Sequence, residues 1–326
     1  MVGPAAETRP RNPADRFGDP GVGWQSGSCD GGSRQSFAGG AAFHFSADAG
    51  LSAARQQQFK AHFAAEAAVL EAWSVEENWP PIVPCPPLRI FVSGKYRISK
   101  SLVPAWSGDV GRMEFPAWRV TARKAAILHE LVHVYFPNAN RLLAEGLAIY
   151  LQAKIGGNPA FPNFGRSLHA IARRVAGELV PAFVRGDAKR LDDIRLADLD
   201  AIATPSPLEL RVGRKLYGED PHGQARIYPI AGSFVQFLVE TYGMARFRAL
   251  YLQSPLVAGR CDAGSRERWT LAYGLSLRQL EVAWKTFIAQ DSGGARRPIH
   301  WSQSVATMSE QTKRGGVGVN EETGND

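Results

Sequence analysis

The chain has no run of about twenty apolar residues, so no membrane-spanning helix is expected. Its first forty residues are rich in Gly, Pro, Arg and Ser and contain no continuous apolar stretch of the kind a secretory signal needs. Cytoplasmic residence is therefore the default expectation. Cysteine is scarce: Cys29, Cys85 and Cys261 are odd in number, widely separated and without metal-type spacing. That excludes a disulfide framework and a cysteine-zinc site, and leaves three free thiols as the expectation. No internal repeat is detectable, which excludes a solenoid or propeller.

Acidic residues are outnumbered, 31 against 38 Lys and Arg, for a formal charge of +7. Part of the excess comes from Arg166, Arg173, Arg174, Arg185, Lys189, Arg190, Arg195, Arg211, Arg214 and Lys215. No recognition helix, stacking motif or finger accompanies them, so they read as a solvated helical face, and no nucleic-acid partner is expected. With 326 residues, 44% of them hydrophobic, the chain can bury one substantial core or two lobes.

The motif that carries chemistry is His129-Glu130-Leu131-Val132-His133. On a helix, i and i+4 side chains lie about 40° apart and about 6 Å along the axis, so both imidazoles reach one tetrahedral zinc ion. Glu130 falls about a quarter turn away, too far to share the ion yet close enough to serve a bound water as general base. Ile127, Leu128, Leu131, Val132, Val134 and Tyr135 fill the opposite arc, with Lys124 intruding in the first turn. Thr121 is the expected N-cap before Ala122, and Pro137 with Asn138 ends the helix.

A second helix follows. The apolar periodicity of 142–151 would bury Glu145, and a buried unpaired carboxylate is costly unless it binds a metal. Glu145 is thus the third candidate ligand, and Ala144, Gly146 and Ala148 around it are small enough for the two helices to approach closely. The competing reading pairs Glu145 with Arg141 at i−4. Three protein ligands leave a fourth position open, the arrangement of a catalytic site.

These residues, with Ala144-Glu145-Gly146-Leu147-Ala148-x-Tyr150, resemble the gluzincin clan of zinc peptidases, especially its small members distant from thermolysin, well over about 105–155. The likeness extends more loosely to 228–238 and to Leu280-Glu281-x-x-Trp284-x-x-Phe287. It implies a zincin-like fold, one Zn2+ held by His129, His133 and Glu145, Glu130 as base, Tyr228 as oxyanion donor, and hydrolysis of a peptide or protein substrate. The alternative is an inactive zincin-fold module that binds a protein partner. The gap from His133 to Glu145 is shorter than in thermolysin-like enzymes, and Ala144 and Ile149 stand where those enzymes carry Asn and Asp. The usual acceptor for a zinc histidine's second nitrogen is therefore not evident.

Tyr228 is expected at the mouth of its helix, with Pro229 at the first helical position; His222 competes for the oxyanion role. His169 reads as a satisfied polar residue, and His44, His62 and His300 receive no role. Glu114 is a candidate contact for a substrate amine, by similarity with an element of gluzincin aminopeptidases.

The architecture expected is α+β. Disordered ends at 1–40 and 292–326 flank a unit at 41–291, divided into an α/β lobe (41–136) and a helical lobe (137–291) with zinc in the groove between them. Strands are expected at 42–46 and 88–92 and a helix at 51–73. Pro116 confines 111–118 to a sheet edge or to no sheet at all, and at an edge a substrate backbone would pair with it. Further helices are expected at about 165–178, 229–241 and 276–289.

Overall fold

The sheet begins with β1 (Phe43–Ala47), in which partly buried Phe43 and Phe45 alternate with exposed His44 and Ser46. The computed structural model describes residues 43–48, 50–83, 87–104, 110–160, 163–175, 195–204, 223–257 and 262–290. The expected disordered ends, the three cysteines, His222, His300 and most of the basic stretch lie outside the described residues.

From β1 the chain crosses over through α1 (Ala53–Glu76) to β2 (Leu88–Ser93), which pairs parallel to β1 with Phe43 opposite Leu88. The crossover helix lays Phe59 and Phe63 on the sheet, their rings 5.9 Å from Phe45 and 5.3 Å from Phe43. β4 (Gly111–Pro116) pairs parallel to β2, and the short β3 (Lys100–Leu102) pairs antiparallel to β4, for a strand order β1-β2-β4-β3.

The edge position expected for 111–118 is thus occupied by β3, and β4 is internal. Pro116 is compatible with this because it is the last residue of the strand and also the residue at which α2 (Ala117–Thr121) starts, where a missing N–H costs little. Glu114 is likewise not turned to a substrate amine. It is buried and paired with Lys100 at 2.9 Å and Arg112 at 2.7 Å.

The zinc-motif helix also starts later than its pattern predicts. Thr121 is the end of α2, its hydroxyl donating to the Ala117 carbonyl, and caps nothing. Arg123, at φ 55°, closes α2 with bonds from its own N–H to the Val120 carbonyl and from Lys124 N–H to that of Arg119. This is the left-handed stop normally given to glycine. Lys124, the residue that broke the apolar arc, sits exposed in the resulting turn, and α3 (Ile127–Tyr135) begins after it.

α4 (Arg141–Lys154) follows a buried turn. Asn140 caps it by accepting from Leu143 N–H at 3.0 Å, while its own amide donates to the backbone and carboxylate of Asp200 and to the Ala263 carbonyl. After Arg141 the described elements are helices: α5 (Leu168–Val175), α6 (Leu196–Asp200), α7 (Gly223–Tyr242), α8 (Met244–Tyr251), α9 (Glu267–Tyr273) and α10 (Leu277–Gln290). The protein is a mixed α/β structure in which helices predominate. None of the described helices is long and apolar enough to cross a membrane.

One hydrophobic cluster runs from Ile90 and Phe115 on the sheet through Leu128 and Leu131 of α3 and Leu143 and Leu147 of α4 to Phe234 and Trp284. Gly146 of α4 acts differently from expectation. A Cβ on Gly146 would stand 2.9 Å from the Ala231 carbonyl oxygen, so the close approach is to α7 and not to the zinc-motif helix. At Gly111 a Cβ would stand 2.9 Å from the Val134 side chain, so the start of β4 also lies close to α3.

Candidate metal centre

Helix α3 presents His129 and His133 on one side, with ring centroids 4.6 Å apart, and α4 presents Glu145 to both. The two Nε2 atoms are 3.1 Å apart, and Glu145 Oε2 lies 3.3 Å from each. Three donors at the corners of a nearly regular triangle of that edge lie about 2.0 Å from the centre of a tetrahedron built on them, the ligand distance of a small transition-metal ion. Glu145 is 2% exposed, and its Oε2 makes no hydrogen bond although both imidazoles are near. A bare carboxylate oxygen in that position is costly, and a cation relieves it. The donor set therefore fits a metal ion, and among the described residues these three form the one His/Cys/Asp/Glu group able to hold one.

The two readings of Glu145 turn out to be compatible, because each uses a different oxygen. Arg141 Nη2 lies 2.7 Å from Oε1, while Oε2 faces the histidines. Burial alone would raise the Glu145 carboxyl, but Arg141, His133 and the imidazole nitrogens beside Oε2 outweigh it and hold it well below the usual range.

Glu130 is outside the triangle, as the helix geometry requires, and only 4% exposed. Burial pushes its carboxyl up to about 7, with Glu145 adding to the rise and His129, a hydrogen bond from Ser101 and Arg119 opposing it. Ser101 belongs to β3, so the outer strand of the sheet reaches the candidate base directly. Arg119 of α2 is half-buried, which lowers its pKa, and the charges of Glu130 and Tyr228 counter that shift.

Tyr228 does reach the centre, by a different route from the one expected. α7 starts at Gly223, so Tyr228 is inside the helix and Pro229 is an interior proline, tolerated at the loss of one helical hydrogen bond. The Tyr228 ring lies 6.1 Å from that of His129, and its hydroxyl oxygen accepts from Arg141 Nη2 at 3.2 Å. His169 is away from the centre, its Nδ1 2.9 Å from Ser233 Oγ, which also accepts from Trp284 Nε1.

Several positioning residues escaped sequence reasoning. Gln152, 2% exposed, accepts from the His129 backbone N–H at 3.1 Å and donates to the Asn158 carbonyl at 3.2 Å. Asn158 in turn donates to the Ala125 carbonyl, so the loop after α4 secures the first turn of α3. The available signal was spacing: Gln152 is seven residues after Glu145, on the same face of an otherwise apolar helix. Arg141 was weighed only as a rival partner for Glu145. Among the described residues, the buried Nδ1 of His129 has no hydrogen-bond acceptor.

Neither protein-family models nor curated proteins provide a match to this chain.

Proposed function

We propose that the protein is a zinc-dependent peptidase of gluzincin type, with His129, His133 and Glu145 as metal ligands, in a groove between the sheet-bearing and helical parts. The single observation that carries this reading is the donor triangle, with edges of 3.1, 3.3 and 3.3 Å and a buried carboxylate beside it that takes no part in it. The mixed nitrogen and oxygen donor set suits zinc.

A bound zinc ion supplies Lewis acidity, bringing the pKa of water to about 7 and polarising a peptide carbonyl. Glu130 accepts the proton of the attacking water and passes it to the departing amine. In the metal-free chain burial raises its carboxyl to about 7, toward the range in which one group both takes and gives a proton at neutral pH. Tyr228 donates a hydrogen bond from its hydroxyl to the negative charge that develops on the carbonyl oxygen. β3, the outer strand carrying Ser101, offers backbone groups for pairing with an extended substrate.

The test is metal analysis of the purified full chain combined with a mass-spectrometric digest of a peptide library. About one zinc per chain and cleavage of the library are expected, with Glu130→Gln keeping the zinc and losing cleavage. A Glu130→Gln protein that still cleaves removes Glu130 from the mechanism, and a wild-type chain that binds no metal removes the whole reading. A second reading, a zinc-holding module that captures a protein partner without hydrolysis, is favoured by the unpaired Nδ1 of His129, since a ligand imidazole without an acceptor is a weaker and less firmly oriented ligand. Stoichiometric zinc with no turnover on any peptide would select it.

A further inference from the structure

Arg141 is the first residue of α4, and its backbone is held by the Asn140 cap and by a bond from its own N–H to the Ile202 carbonyl at 2.9 Å. Its side chain, 15% exposed, lies between two groups with different tasks. Nη2 is 2.7 Å from Glu145 Oε1 and 3.2 Å from the Tyr228 hydroxyl oxygen, and the guanidinium carbon is 6.0 Å from the centre of the tyrosine ring.

A guanidinium has donors and no acceptor, so the direction of both contacts is fixed by chemistry. Toward Glu145 it occupies one carboxylate oxygen, which leaves the other, Oε2, for the side of the imidazoles. Toward Tyr228 it fills an acceptor site of the phenol oxygen. The phenolic proton therefore cannot be spent on Arg141 and is kept for another acceptor.

We propose that Arg141 is a positioning residue that divides the Glu145 carboxylate, one oxygen to the guanidinium and one to the metal, and orients the Tyr228 hydroxyl to donate to the substrate. The Tyr228 half rests on the peptidase reading; the Glu145 half requires only a metal.

Two arms read the halves separately. Zinc affinity of the full chain, measured by competition with a chromogenic chelator, is compared for wild type, Arg141→Met, Arg141→Lys and Tyr228→Phe. Outer contacts to ligand carboxylates and imidazoles are typically worth about 10–100-fold in metal affinity, so Arg141→Met is expected to lose that much. Arg141→Lys keeps the charge without the fork and should recover part of it, while Tyr228→Phe should leave zinc affinity unchanged. The second arm is the kcat and KM of the same proteins at saturating zinc on a peptide cleaved by wild type. Tyr228→Phe should lower kcat by about 10²-fold with little change in KM, as loss of an oxyanion donor does. The same change made in the Arg141→Met background should cost far less, because the hydroxyl is already misdirected.

Wild-type zinc affinity in both arginine variants overturns the Glu145 half. A full Tyr228→Phe penalty in the Arg141→Met background overturns the Tyr228 half. Absence of hydrolysis by wild type overturns the peptidase reading together with the Tyr228 half, and the chelator arm still decides the Glu145 half. If Arg141→Met does not fold, judged by its circular dichroism, Arg141→Lys carries the same comparisons.

Discussion

Gly146→Ala perturbs a close contact between the helix that bears Glu145 and the helix that bears Tyr228. The added Cβ would overlap a methyl of Val235 and stand 2.9 Å from the Ala231 carbonyl oxygen. Val235 is fully buried. The carbonyl belongs to the α7 backbone, so relief requires moving a helix. Overpacking of this kind costs about 1–3 kcal/mol, and replacing a helical glycine with alanine returns about 1 kcal/mol of helix propensity. With a backbone atom as one of the two obstacles, the upper half of the packing range applies, for a net loss of about 1–2 kcal/mol. In a folded unit of this size each kcal/mol shifts Tm by about 2–4 °C, so scanning calorimetry should show a fall of about 2–8 °C. The 3.2 Å bond from Arg141 to Tyr228 crosses the same interface and should lengthen with the displacement, so kcat on a cleaved peptide should fall as well. An unchanged or raised Tm would mean that propensity alone acts at this position, and the close α4–α7 approach would be refuted.

Gln152→Leu removes the acceptor for the His129 N–H and the donor to the Asn158 carbonyl, two buried groups each worth about 1–3 kcal/mol when stranded; a clear drop in denaturant midpoint is expected, and none would show that α3 is held otherwise. Zinc at a hundred times its Kd should stabilise the chain by about 2.7 kcal/mol, and a thermal shift that zinc produces equally in Glu145→Gln would deny Glu145 a part in binding. In the metal-free chain, Glu130 titrates at about 7 against an ordinary 4.5, so between those values the native state binds more protons than the unfolded state. Its stability should therefore fall as pH rises through that window, by up to about 3 kcal/mol, and Glu130→Gln should flatten the profile. Identical urea midpoint profiles for wild type and Glu130→Gln would place Glu130 in contact with water.

Short-range patterns were legible where one element carries the whole signal. The 129–133 motif and the end of its helix near Pro137 follow from helical spacing and proline stereochemistry, and β1, α1 and β2 follow from alternation and apolar content. The start of α3 was not legible, because the chain breaks at Arg123 in a left-handed conformation that an arginine does not advertise. The internal place of β4 escaped for a related reason: a three-residue strand such as β3 has too few residues to show a period, so the neighbour that displaced β4 from the edge was invisible. The Tyr228 ring stands 6.1 Å from that of His129, yet Tyr228 is not the helix-mouth residue expected, since an interior proline looks the same in sequence as a first-turn one.

The amino-acid order alone determined which side chains are able to ligate a metal and that two of them share a helix face, because a 3.6-residue repeat needs nothing beyond the backbone. Only the tertiary structure decided that Glu145 turns one oxygen to the histidines and the other to Arg141, that Ser101 reaches Glu130, and that Gln152 holds the first turn of α3. Apart from the Arg141–Glu145 pair within α4, those are contacts between elements, and a distance across a packed interface is not encoded in the spacing of residues along either partner.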